Sequence, residues 1–298
     1  MSLRAEIVRF CLPWFMRQRL QPGVRIEDVR RLVALYGRLA PSPPRGTELT
    51  QIDAGGVEAE LVATPRSRPD RYILYLHGGS YLVGFPALFR DLTWRIADAA
   101  GARLICIDYR LAPEHPFPAA IEDATAAYRW LASERAEPRR VALVGDSAGG
   151  GLALATMMRL RDEGSHLPAA AVALSPWTDL ALTGRSLADY RSSDPMVPVD
   201  TMPEAARLYL AGADPRTPYA SPLYGDPRGL PPTLIFVGDD EALRDDAVRM
   251  AERLREGGVD VELEVWPRMF HVWPAFARIV PEGRAAITRI GAFLRERL

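Results

Sequence analysis

Lysine is absent from this chain of 298 residues, and all 37 basic residues are arginine. With alanine and proline abundant, that reads as a bias of the coding sequence, since no patch or stripe of arginine emerges along the chain. An excess of one charge is missing too. The 38 acidic residues leave a formal net charge of -1, so no electrostatic footprint for nucleic acid or an anionic membrane is expected. A small, largely neutral molecule is the expected partner. Cysteine is scarce: Cys11 and Cys106 are too few for a disulfide framework, and Cys106 lies in the apolar run 103–107. A buried reduced thiol and a reducing, cytoplasmic setting are therefore expected. Long hydrophobic runs are lacking as well. No stretch approaches the roughly 20 apolar residues that span a bilayer. The basic N-terminus has its apolar stretch broken by Glu6, Arg9 and Pro13, with no small-residue cleavage site after it, and is not read as a signal peptide.

What is present, 48% hydrophobic and 25% charged residues, suffices for one large core with a small accessory piece. Apolar residues recur at helical spacing over 26–36 and stop at Pro41-Ser42-Pro43-Pro44, which predicts a helical N-terminal arm over 1–45. Segments 48–52 and 57–63 alternate and are joined by Asp53-Ala54-Gly55-Gly56, the pattern of an antiparallel hairpin. From Arg71 onward the character changes. Apolar runs at 72–76, 104–107, 141–144, 170–174, 234–237 and 261–265 alternate with helical periods at 88–100, 119–132, 150–162, 245–256 and 275–297. This predicts βα units, hence an α/β class with a mostly parallel central sheet, helices on both faces, and a catalytic domain over 46–298. Between Ser175 and Thr233 the chain is too long for one crossover and carries a helical pattern at 203–210. An insertion at about 178–215 over the strand ends, forming a helical cap with the N-terminal arm, is the natural reading.

Gly145-Asp146-Ser147-Ala148-Gly149 follows the run 141–144 and precedes a helix, which is the setting that the pattern G-x-S-x-G requires. A sharp strand-to-helix turn exposes the serine hydroxyl, and small residues two places on either side let strand and helix approach. A serine at a helix start is also a common cap, but strand, turn and helix in this order favour Ser147 as a nucleophile. A hydroxyl needs a base, and there are only four histidines: His77, His115, His166 and His271. His271 follows the last strand, where the order serine, acid, histidine places the base. The third group should be a carboxylate at the end of the penultimate strand. Asp239, Asp240 and Glu241 are all offered there, and physical reasoning alone does not choose among them. An oxyanion needs preorganised N–H donors: Ala148, after the nucleophile, supplies one, and the glycine turn His77-Gly78-Gly79-Ser80-Tyr81 is placed to supply others.

Together these segments resemble the hormone-sensitive-lipase family of α/β-hydrolases, in its bacterial esterase group marked by an H-G-G-G turn and a G-D-S-A-G-G elbow. The likeness covers roughly residues 70–298, with a weaker match through the N-terminal arm. Asp108-Tyr109-Arg110-Leu111-Ala112-Pro113-Glu114 resembles the family's D-Y-R-L-A-P-E segment, and Ser175-Pro176-Trp177-Thr178-Asp179 also fits. The resemblance implies an α/β-hydrolase fold. It also puts Glu241 at the acid position, because D-P-L-x-D-[ED] aligns with Glu241-Ala242-Leu243-Arg244-Asp245-Asp246, 30 residues being the interval to His271. Asp240 ranks second and Asp239 third. A glutamate stands where the family has aspartate, and Ser80 where it has a third glycine. Gly78, Gly79 and Ala148 are the oxyanion donors the resemblance implies.

The implied reaction is hydrolysis of short-chain carboxylic esters through an acyl-enzyme on Ser147, with no metal or cofactor. Tyr81, Leu208, Tyr209 and Phe270 are the candidate pocket residues, although core packing explains buried aromatics equally well. Lactone or amide hydrolysis or acyl transfer would use the same groups, and relatives that lost the histidine serve as small-molecule receptors. Neither nucleic acid nor membrane is expected as a partner, and a homodimer is compatible with the sequence.

Overall fold

The computed structural model describes residues 1–19, 23–39 and 41–298. Residues 20–22 and 40 of the expected N-terminal arm lie outside the described residues. The arm contains two helices, α1 (Leu3–Arg19) and α2 (Ile26–Leu39). A hairpin of β1 (Glu48–Asp53) and β2 (Glu58–Ala63) pairs antiparallel, Glu48 facing Ala63. The alternating units then follow: β3 (Arg68–Leu76), α3 (Arg90–Ala100), β4 (Ala102–Ile107), α4 (Ala119–Glu134), β5 (Val141–Asp146), α5 (Ala148–Asp162) and β6 (Ala170–Leu174). After an interval holding α6 (Ser186–Asp189) and α7 (Met202–Leu210) come β7 (Thr233–Gly238), α8 (Arg244–Glu256), β8 (Val261–Trp266) and α9 (Pro281–Arg297).

The eight strands form one sheet in the order β1-β2-β4-β3-β5-β6-β7-β8. Only the hairpin side is antiparallel; from β4 to β8 every neighbour runs parallel. The cause is visible in the strands themselves. Every residue of β5, β6 and β7 is buried, as expected where helices cover both faces of a parallel sheet and the strands read as continuous apolar runs. Two core layers result. One packs β-sheet side chains against α4, α5, α7 and α8, and includes Tyr81, Trp177 and Tyr209. The other packs the opposite sheet face against α3 and α9, and includes Phe236, Phe270 and Trp273.

Several boundaries differ from the sequence expectation. The last helix begins at Pro281 rather than Ala275, and residues 273–276 make a separate 3₁₀ turn. Proline explains the shift, because Pro281 lacks an N–H and is tolerated only in a helix's first turn. Helix α1 runs through Pro13. Helix α5 starts at Ala148, two residues earlier than its periodicity suggests, which places it directly behind Ser147. Among the described residues no helix is long and apolar enough to cross a membrane.

Candidate active site

Parallel strands end together, so β3, β5, β6 and β7 deliver their following loops to one edge of the sheet. Ser147 sits at the turn between β5 and α5 with φ 53° and ψ -123°, a region costly for a residue with a Cβ and typical of functional sites. The turn is possible because glycine stands at 149, where a Cβ would lie 2.0 Å from the Leu76 carbonyl oxygen of β3. The backbone of β3 therefore passes directly beneath the start of α5.

Ser147 Oγ and His271 Nε2 are 2.9 Å apart, and His271 Nδ1 is 2.8 Å from Glu241 Oε2. A carboxylate can only accept, so Nδ1 carries the proton and Nε2 is left to accept the serine hydroxyl's hydrogen. The second oxygen of Glu241 accepts the Gly238 N–H at 2.9 Å, and Glu241 is fully buried. Its neighbours are engaged elsewhere. Asp240 forms an ion pair with Arg9 of α1, and Asp239 accepts the backbone N–H of Arg268. Burial disfavours the imidazolium of His271, but the hydrogen bond and charge of Glu241, helped by Asp194 and Asp146, leave its pKa raised above the ordinary 6.5. The remaining histidines stand apart. His77 is buried between the rings of Tyr109 and Phe89, donates Nδ1–H to the Gly78 carbonyl at 2.8 Å, and is pushed down to about 4 by burial. His115 and His166 are exposed.

The glycine turn after β3 differs from expectation at one position. The Gly78 N–H donates to Asp146 Oδ1 at 2.9 Å and so is already consumed, whereas the N–H groups of Gly79, Ser80 and Ala148 have no acceptor among the described residues. The turn is held in this shape by consecutive left-handed residues, with φ 115° at Gly79, 56° at Ser80 and 62° at Tyr81. A Cβ at Gly79 would meet the Val83 carbonyl oxygen at 1.9 Å. Gly78 was expected as a donor because the motif identifies a loop, not which of its amides a neighbouring carboxylate captures. That carboxylate, Asp146, also accepts the Tyr75 hydroxyl at 2.6 Å, and burial raises its pKa to about 6.

Asp194 is a residue the sequence did not single out. It is buried in the interval between β6 and β7, accepts the N–H of Ala242 at 2.6 Å, and accepts those of Met196 and Val197 at 2.8 and 2.7 Å. It thereby ties that interval to the loop of Glu241. Its only sequence signal, an aspartate before proline, is shared with ordinary turns. Of the candidate pocket residues, Tyr81 and Tyr209 come together, their buried rings stacked at 3.8 Å and 6° between planes, with Phe117 edge-on to Tyr209. Leu208 is half-buried on the same helix as Tyr209. Phe270 does not join them: it lies in the other core layer, edge-on to Phe276 at 5.3 Å. Among the described residues no cluster of three or more His, Cys, Asp or Glu side chains is arranged to hold a metal ion.

The sequence pattern of the family described as alpha/beta hydrolase fold matches residues 73–275. An acetyl-hydrolase of Streptomyces hygroscopicus is 49% identical, covering 82% of this chain and 81% of that protein. An esterase of Acinetobacter venetianus is 32% identical over 86% of this chain and 84% of its own length. A crystal structure of an esterase from the bacterial hormone-sensitive-lipase family superposes with a TM-score of 0.94 at 44% identity, covering 100% of this chain and 99% of that one. A serine–histidine–carboxylate relay at the strand ends of this sheet, with likeness along the whole chain, leads to one conclusion: the chain belongs to the bacterial hormone-sensitive-lipase family of α/β-hydrolases and is a carboxylic-ester hydrolase.

Proposed function

We propose that the chain hydrolyses short-chain carboxylic esters with Ser147 as nucleophile, His271 as general base and acid, and Glu241 as the group that orients and stabilises the imidazolium. The observation that carries this reading is the unbroken relay of 2.9 and 2.8 Å from Ser147 Oγ to Glu241. As Ser147 Oγ attacks the ester carbonyl, its proton passes to His271 Nε2 and the carbonyl oxygen becomes an oxyanion. The N–H groups of Gly79, Ser80 and Ala148 receive that charge, since each is a preorganised donor with no other acceptor among the described residues. Collapse expels the alkoxide, which takes the proton from His271, and leaves Ser147 acylated. Water then gives a proton to His271 and attacks the acyl carbon. The acid departs, and the proton returns to Ser147.

The preference for short acyl chains rests on the Tyr81–Tyr209 stack. A Cβ placed on Gly151, in the first turn of α5, would lie 3.5 Å from the Tyr81 hydroxyl, so Tyr81 packs one helical turn from the nucleophile, and this reading makes its stack with Tyr209 the wall of the acyl side. The lid of this reading consists of the insertion carrying α7 and the N-terminal arm. Arg30 of α2 holds the carbonyls of Leu82 and Ala112, each at 2.8 Å, and α1 reaches the acid and histidine loops through Arg9–Asp240 and Glu6–Arg268. A reducing, cytoplasmic setting accords with two free cysteines, Cys11 exposed and Cys106 buried.

Turnover of p-nitrophenyl esters of increasing acyl length tests the reading. The expected result is fastest cleavage of the short members and none by Ser147→Ala. Equal rates for long chains would reject the substrate class, and retained turnover in Ser147→Ala would reject the nucleophile.

A further inference from the structure

The amino-terminal end of the sheet, remote from the strand ends that carry Ser147, holds a cavity of about 650 Å³ between the start of β3, the C-terminal end of α3 and α9. Six of its lining residues are arginine and one, Asp98, is acidic. In a chain whose basic and acidic residues balance, that is a local excess created by folding, because the arginines come from three separate segments. Three of them are compensated: Arg66 by Asp98 at 3.4 Å, Arg68 by Asp70 at 3.3 Å and Arg95 by Asp91 at 3.2 Å.

The other three form no ion pair among the described residues. Arg284 donates to the Ala277 carbonyl at 2.9 Å, and Arg295 donates to the Ala99 carbonyl. A carbonyl accepts a proton but brings no charge, so both cations stay uncompensated. Arg71 has no ion pair or hydrogen bond among the described residues, and its Nε is buried without a partner. Burial, together with the cations of Arg68 and Arg140, disfavours its charge by more than the neighbouring carboxylate of Asp70 favours it. A guanidinium cannot escape by deprotonating, and a buried donor left unmade costs free energy. The arrangement lowers its energy if an anion enters.

We infer that this cavity binds a small, multiply charged anion of the phosphate class, held by Arg71, Arg284 and Arg295. Guanidinium groups match phosphate oxygens in paired hydrogen bonds. The concave shape and modest volume fit a pyrophosphate group, free or carried by a small metabolite, and not a duplex, which a basic stripe would bind.

Titration calorimetry of pyrophosphate into the protein at about 20 mM salt, where screening is weak, tests the site. The expected result is one equivalent bound, with affinity weakened at least about tenfold by Arg71→Gln and by Arg295→Gln. Turnover of p-nitrophenyl butyrate by both variants, expected within about twofold of the parent because neither residue approaches Ser147, establishes that they fold; Arg295→Gln alone serves if Arg71→Gln does not. Tighter binding of ATP than of pyrophosphate would identify a phosphorylated metabolite as the occupant, and the reverse would identify the free anion. Equal affinity for citrate would overturn the phosphate class. An absence of binding, or binding that folded arginine variants retain in full, would overturn the site.

Discussion

At the scale of the residue, the choice among three consecutive carboxylates turns on where each is held. Glu241 has both oxygens engaged inside the protein, one by Gly238 and one by His271, whereas Asp240 reaches outward to Arg9. Glu241→Gln should lower kcat on the order of 10³-fold, since the amide no longer stabilises the imidazolium or fixes its tautomer. Asp240→Asn should stay within a few-fold, because the loss of a partly exposed ion pair is small. Steady-state kinetics of the two variants settle the ranking. The pH profile supplies a second prediction. His271 must be neutral to accept the serine proton, and its pKa is raised above 6.5, so kcat/KM should fall with decreasing pH through a midpoint above 6.5. Glu241→Gln removes the interactions that oppose burial and should move that midpoint down; an unchanged midpoint would assign the acidic limb to another group. Ser147 and His271 were legible in the sequence because motif and chain order specify them. Gly78 was not, because Asp146 captures its N–H across a turn, and only the folded chain shows in which direction an amide points.

At the scale of the element, the proposed lid assigns control of what enters to the helices over the strand ends. Tyr209 of α7 stacks on Tyr81 of the glycine turn. Tyr209→Ala should open the acyl side and shift the optimum of a chain-length series toward longer esters, with kcat on the shortest substrate changed less than KM. A chain-length optimum that stays put would place the acyl group elsewhere. Element type was legible wherever periodicity was strong, as in α7 and the six parallel strands. The boundaries of α9 were less so, because the apolar spacing of residues 273–276 resembles a helical turn, and only Pro281 shows where the continuous helix begins. Phe270 illustrates the same limit. It is a candidate pocket residue in the sequence, with core packing as the other reading, and the turn buries it on the opposite face of the sheet.

At the scale of the whole molecule, the parallel sheet is both the scaffold of the site and the source of stability. Phe236 of β7 is fully buried against Trp266 and Trp273, two strands from Ser147. Phe236→Ala should lower unfolding stability by about 3–5 kcal/mol through lost burial and the cavity left behind, read as a lower urea midpoint with unchanged slope. An effect below about 1 kcal/mol would mean that the layer repacks around the gap. Sheet class and strand sequence were legible, because buried parallel strands carry unbroken apolar runs. The gathering of arginines at the far end of the sheet was not, since Arg71, Arg284 and Arg295 line one cavity only once α9 packs on α3 beside the start of β3.

The central claim is that one serine, activated through His271 and Glu241, carries the acyl group. Labelling the protein with an organophosphate ester and locating the adduct by mass spectrometry tests it most directly. One adduct, on Ser147, forming in step with the loss of esterase activity and absent from Ser147→Ala, is the expected result. Inactivation with the label on another residue, or undiminished turnover in a fully labelled protein, would contradict it.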